Sequence, residues 1–176
     1  FSQAGVKRDR LIAGMAAWSK SAIKEKTGVA RKIVSWSALA SAANGINPIP
    51  LTDVAVDVSV LTIMCKKINA VYGLSAEQLE YIEGTDPSLS KSVEFNGLKQ
   101  NILKWVTKYA VAEGVMAVLK NMGGKIIIKN ISKFLPFLGS IISAGIGYKM
   151  TTAFGEQYIE EAETQAENLL ETVTLR

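Results

Sequence analysis

Apolar residues in this chain recur at intervals of three and four rather than two, which restricts what it can fold into to packed amphipathic helices. A half-buried strand would alternate apolar and polar residues, and no set of partner strands with that pattern is evident. The 176 residues are enough to close a core without a metal or disulfide staple. The predicted fold is an all-α bundle of about five to seven helices, a single domain over residues 1–176.

The first helix is predicted from about Lys7 to Lys26, with Leu11, Met15, Trp18 and Ala22 on one stripe. Thr27-Gly28 interrupts it before a second segment carrying Ile33, Trp36, Leu39 and Ala43, which stops at Asn44-Gly45. Pro48 and Pro50 hold the connection extended, because each pushes the residue before it out of the helical region. Thr52 is placed to cap a long helix striped by Val54, Val58, Leu61, Cys65, Ile68 and Tyr72, and Gly73 supplies the left-handed residue that ends it. Ser75 and Gln78 form a capping box for a short helix to about Glu83. Residues 84–95, with Asp86-Pro87 and three serines, read as a loop separating two helical subdivisions. A helix from about Asn96 to Asn121 then presents Leu98, Ile102, Trp105, Tyr109, Ala112, Met116 and Leu119 on one face. Gly123-Gly124 breaks it, and Ile126-Ile127-Ile128 fits the opening of either a strand or a buried helix, of which the helix is chosen because no partner strand is evident.

The absence of histidine removes the usual general base near neutral pH and the commonest metal ligand. The one cysteine, Cys65, sits in a helical apolar stripe and reads as a small buried hydrophobe. Asp53 with Asp57, and Glu156 with Glu160, share helix faces at one-turn spacing. The first of these residues sits where a helix dipole favours an anion, and the glutamates from Glu156 to Glu171 read as a solvated face. Gly123-Gly124-Lys125-Ile126 lacks the first glycine and the hydroxyl of a phosphate loop. The sequence therefore predicts no catalytic residue, no cofactor and no metal, hence no enzyme activity within this chain.

Charge is distributed unevenly along the sequence. Lys7 to Lys32 holds eight basic residues against Asp9 and Glu25, whereas Glu156 to Glu171 holds six glutamates and no base. A basic amphipathic helix with a tryptophan suits an anionic membrane surface. The candidate membrane-binding residues are Lys7, Arg8, Arg10, Trp18, Lys20, Lys24, Lys26, Arg31 and Lys32. Nucleic acid is not an expected partner, because the net charge is only +4 and no recognition motif accompanies the lysines. Residues 134–148 carry no charge and form a candidate hydrophobic hairpin with Phe134, Leu135, Phe137, Leu138, Ile141 and Ile142. Its fifteen residues fall short of the ~20 that a membrane span requires. The chain opens on Phe1 rather than methionine and reads as a piece of a longer protein.

The order of a basic helix, Asn47-Pro48-Ile49-Pro50-Leu51, Asp57 early in the next helix and Tyr72-Gly73-Leu74-Ser75-x-x-x-Leu79 resembles the C-terminal half of the interferon-inducible immunity-related GTPases. Phe134-Leu135-Pro136-Phe137-Leu138-Gly139-Ser140, followed by Thr151 and an acidic last helix, is more loosely similar to the closing region of that family. The resemblance implies a helical module that follows a Ras-like G domain, supports its dimerisation or couples nucleotide state to position, and in several members reaches vacuolar membranes. The nucleotide-binding motifs are missing here, so no catalytic residue carries over. The expected function is a non-catalytic helical domain of an immunity-related GTPase-like protein in innate immunity. It is cytoplasmic or peripheral at membranes, with protein partners or self-association and an anionic membrane surface as a second candidate partner. The alternatives are a membrane-active protein that inserts the 134–148 hairpin, as colicin-like proteins do, and a plain interaction scaffold.

Overall fold

A computed structural model describes residues 19–44, 53–130 and 139–174 of the chain. Among these residues every regular element is helical. They are α1 (Lys20–Asn44), α2 (Asp53–Tyr72), α3 (Ala76–Thr85), a single 3-10 turn (Leu89–Lys91), α4 (Val93–Ala110), α5 (Ala112–Asn130) and α6 (Gly139–Thr174). The all-α class and the number of helices agree with the sequence reading.

Three long helices form the centre. Lys26 and Thr27 of α1 meet Val71 and Tyr72 at the end of α2, while Ala40 shares a groove with Val60, so α1 and α2 run antiparallel. Thr27 also meets Glu163 and Arg31 meets Glu156, which sets α6 antiparallel to α1. Close approach of α1 and α6 rests on small residues. A Cβ built on Gly155 would lie 2.5 Å from Val34 Cγ2, so only glycine fits there. Helices α4 and α5 close the other side of α2 and α6, and one buried cluster includes residues of all six helices and the 3-10 turn.

The α2 stripe matches its prediction. Val58, Leu61, Cys65, Ile68 and Tyr72 are buried, Gly73 has φ +75°, and Leu74 N–H returns to the Asn69 carbonyl. Ser75 Oγ accepts from the Gln78 N–H at the start of α3, which runs two residues beyond Glu83. The expected Thr52 cap lies outside the described residues.

Four expectations are corrected. Thr27-Gly28 does not interrupt α1, because a mid-helix glycine costs only ~1 kcal/mol and burial of Ile23, Ala30 and Val34 on either side outweighs it. The buried stripe of α1 is Ala30, Val34, Ala38 and Ser41, which leaves Trp36 and Leu39 exposed. The segment 84–95 contains a 3-10 turn, and Ser92 caps α4 at Val93 by accepting from Phe95 N–H at 3.2 Å. The long helix expected to Asn121 breaks at Val111, whose φ −117° and ψ 147° are extended, whereas the backbone continues helically through Gly123-Gly124 to Asn130. At that break Gly114 packs against the Lys108 carbonyl so closely that an added Cβ would fall 1.7 Å from its oxygen.

Candidate functional site

Three side-chain constellations stand out, and the first joins the two charge blocks of the sequence. Lys20 Nζ lies 3.4 Å from Glu171 Oε1, and Arg31 Nε donates to Glu156 Oε2 at 3.1 Å. The Glu156 bond and charge raise the Arg31 pKa further above its ordinary value. Between these pairs, the Thr27 and Tyr72 hydroxyls both reach Glu163 Oε1. Burial pushes the Tyr72 phenol up, so it remains a neutral donor there.

The membrane-binding candidates are thus dispersed. Lys20 and Arg31 are paired with carboxylates of α6, and both are exposed, as are Lys24 and Lys32. Lys26 is 1% exposed and donates from Nζ to the Val71 carbonyl, capping the end of α2 where the helix dipole favours a cation. Burial lowers its pKa. It is not part of an exposed basic face, because its aliphatic stem packs between α1 and α2 and only its amine finds a polar partner. Lys7, Arg8, Arg10 and Trp18 lie outside the described residues, as do Phe134, Leu135, Phe137 and Leu138. Ile141 and Ile142 fall in the first turn of α6, which continues unbroken to Thr174 rather than closing a separate element at Tyr148.

The second constellation centres on Glu161, which the sequence reading placed on a solvated face. Its Oε2 accepts from Trp105 Nε1 at 2.7 Å and from the Tyr109 hydroxyl at 2.9 Å, while Oε1 accepts from Gln157 Nε2 at 3.0 Å. Burial pushes its pKa up, but the bonds from Gln157, Trp105 and Tyr109 and the Lys108 charge outweigh it and hold the carboxyl below its ordinary value. Trp105 stacks on Tyr158 at 4.7 Å, and Tyr109 meets both rings edge-on. The Tyr158 hydroxyl donates to Asn69 Oδ1 at 2.6 Å. Burial raises the Tyr109 and Tyr158 phenols and the Cys65 thiol alike. A cleft of about 400 Å³ opens beside Glu161 between α4, α5 and α6, with Val118, Met122 and Ala153 on its apolar side. With three donors already on it, the carboxylate ties α4 to α6. Spacing gave no sign of this, because Glu161 shares its sequence neighbourhood with the exposed Glu160.

The third constellation is apolar. Ile33, Trp36 and Ala40 of α1 and Val60, Ile63 and Lys67 of α2 line a surface groove of about 330 Å³. Trp36 is 59% exposed, Ile63 55% and Leu39, one turn beyond Trp36, 54%.

Among the described residues no group of three His, Cys, Asp or Glu side chains is placed to hold a metal. No buried side-chain nitrogen or oxygen among them lacks a hydrogen-bond partner. No described helix is long and apolar enough to cross a membrane. No protein-family model, no curated protein and no solved structure matches the chain.

Proposed function

We propose that this chain is a non-catalytic helical domain of the kind that forms the C-terminal half of immunity-related GTPases, acting in the cytoplasm by binding another protein. The kinship rests on the sequence resemblance alone, and the observation that carries the protein-binding part of the reading is the exposed face of Trp36, Leu39 and Ile63 around the α1–α2 groove. Tryptophan is enriched among the residues that anchor protein interfaces, and a rigid ring beside a preformed groove loses little entropy on binding. The charge arrangement favours protein over membrane, since one of the cations proposed for a lipid surface is buried and two others have carboxylates of α6 competing for them. The shifted tyrosines and Glu161 are accounted for by burial and by bonds between helices, which suits a scaffold.

Site-specific photocrosslinking in cells tests the reading. A photoreactive residue at Trp36 or Ile63 should trap one discrete protein species, whereas the same residue at Lys104 or Thr107, exposed on α4, should not. Equal labelling from both faces, or none from Trp36 and Ile63, refutes it. Trp36→Ala should weaken that crosslink at Ile63 while moving the unfolding midpoint by less than the equivalent of about 0.5 kcal/mol, as expected for an exposed position.

A further inference from the structure

Part of the basic set of α1 and most glutamates of α6 fall in register across the seam. Lys20, Lys24, Thr27 and Arg31 fall on one stripe of α1, at the three- and four-residue intervals that keep side chains on one helix face. Glu156, Glu160, Glu163, Glu167 and Glu171 form the matching stripe of α6. Bonds from Lys20 to Glu171, from Thr27 to Glu163 and from Arg31 to Glu156 fix the antiparallel alignment. The same register turns Lys24 toward Glu167, without an ion pair between them.

Such a row of cations on a helix is what an anionic lipid surface attracts. Here the row already has carboxylates opposite it. Both ion pairs are open to water, with side chains 68% and 54% exposed in one and 61% and 39% in the other. Exposed pairs of this kind are weak and exchange partners readily. The cations can therefore turn to another anion without α6 leaving the core, where Phe154, Tyr158 and Ala162 hold it. Any lipid phosphate or carboxylate must compete with glutamates that are always present at short range.

We infer that the α6 carboxylate stripe is a built-in competitor for Lys20, Lys24 and Arg31 of α1, an autoinhibitory contact that weakens adsorption of the chain to anionic lipid surfaces. This goes beyond the protein-binding reading and does not depend on it.

The test is flotation with vesicles of equal parts phosphatidylserine and phosphatidylcholine, at low salt where the Debye length is near 14 Å (about 0.05 M). Glu156→Gln, Glu167→Gln and Glu171→Gln together remove the competitor while keeping side-chain size. A second variant, Glu77→Gln, Glu80→Gln and Glu113→Gln, changes the net charge by the same amount on α3 and α5, and far-UV circular dichroism establishes that both remain folded. The stripe variant should partition onto vesicles about tenfold or more better than the wild type and the charge-matched variant, as two or three released cations allow. Adding Lys20→Gln, Lys24→Gln and Arg31→Gln should erase the gain. Raising salt to about 0.5 M, where the Debye length is near 4 Å, should also erase it. The inference is overturned if the charge-matched variant gains as much, if the gain survives loss of the three cations, or if the stripe variant binds no better than the wild type.

Discussion

Replacing Trp105 tests whether α4 is fastened to α6 through the Glu161 carboxylate. Truncating a fully buried tryptophan to alanine costs ~3 to 5 kcal/mol; Trp105 is mostly but not fully buried, which puts its packing share below that range, at about 2 kcal/mol. Losing the Nε1 bond to an ionised acceptor adds about 1 kcal/mol, because Tyr109 and Gln157 remain bonded to Glu161. Trp105→Ala should therefore destabilise by about 3 kcal/mol in urea titrations followed by far-UV circular dichroism, with an unchanged slope. Trp105→Phe keeps a ring over Tyr158 and removes the donor, so it should cost about 1 kcal/mol. The phenylalanine variant also carries a pH signature. Glu161 has a folded pKa below its unfolded value of about 4.3, so its stabilisation is fully present above that value and is lost as pH falls through the folded pKa. Removing the Trp105 donor raises the folded pKa toward the unfolded one. The gap between wild type and Trp105→Phe should thus be constant at neutral pH and close once the carboxyl is protonated in both. A phenylalanine variant as stable as wild type at pH 7, or a gap unchanged well below the ordinary glutamate pKa, refutes the argument.

Gly155→Ala should destabilise by about 1 to 3 kcal/mol because the new methyl meets the stiff Val34 side chain, and Val34→Ala in the same chain should recover part of that loss in urea titrations. Cys65 should react with a thiol-specific chromogenic disulfide only after denaturation, since burial both encloses the thiol and raises its pKa; rapid labelling of the folded chain contradicts the placement of α2. Calorimetric titration with GTP and magnesium should show no heat of binding, because the sequence lacks a phosphate loop, and a micromolar dissociation constant overturns the non-catalytic reading.

Local signals were readable from sequence, and long-range ones were not. Gly73 and Ser75 act on backbone groups within five residues, so their turn and cap were legible in the order of residues alone. Ser92 carries the same kind of signal, hidden in a serine-rich stretch whose composition resembles a loop. Thr27-Gly28 and Gly123-Gly124 looked like breaks because a propensity of ~1 kcal/mol was set against no known packing partner, and in α1 that partner is a helix more than a hundred residues away. Gly114 marks the break at Val111, but only contact with the Lys108 carbonyl reveals it. For the candidate site the same division holds. The two charge blocks were plain in the sequence, while their mutual pairing, the burial of Lys26 and the separation of Glu161 from Glu160 depend on which helix face meets which neighbour.

The antiparallel seam between α1 and α6 also dictates when the molecule can fold. Thr27 and Glu163, bonded across it, are separated by 136 positions in the chain. Most helical bundles fold quickly because their contacts are local; here α1 can dock on α2 early, but Val34 meets Gly155 only once the last described helix is in place. During synthesis on the ribosome the side of Val34 that faces Gly155 stays uncovered while more than a hundred further residues are added, at ~5 to 20 residues per second. Mutations that weaken the seam should lower the yield of protein in the cell more than their equilibrium cost alone implies.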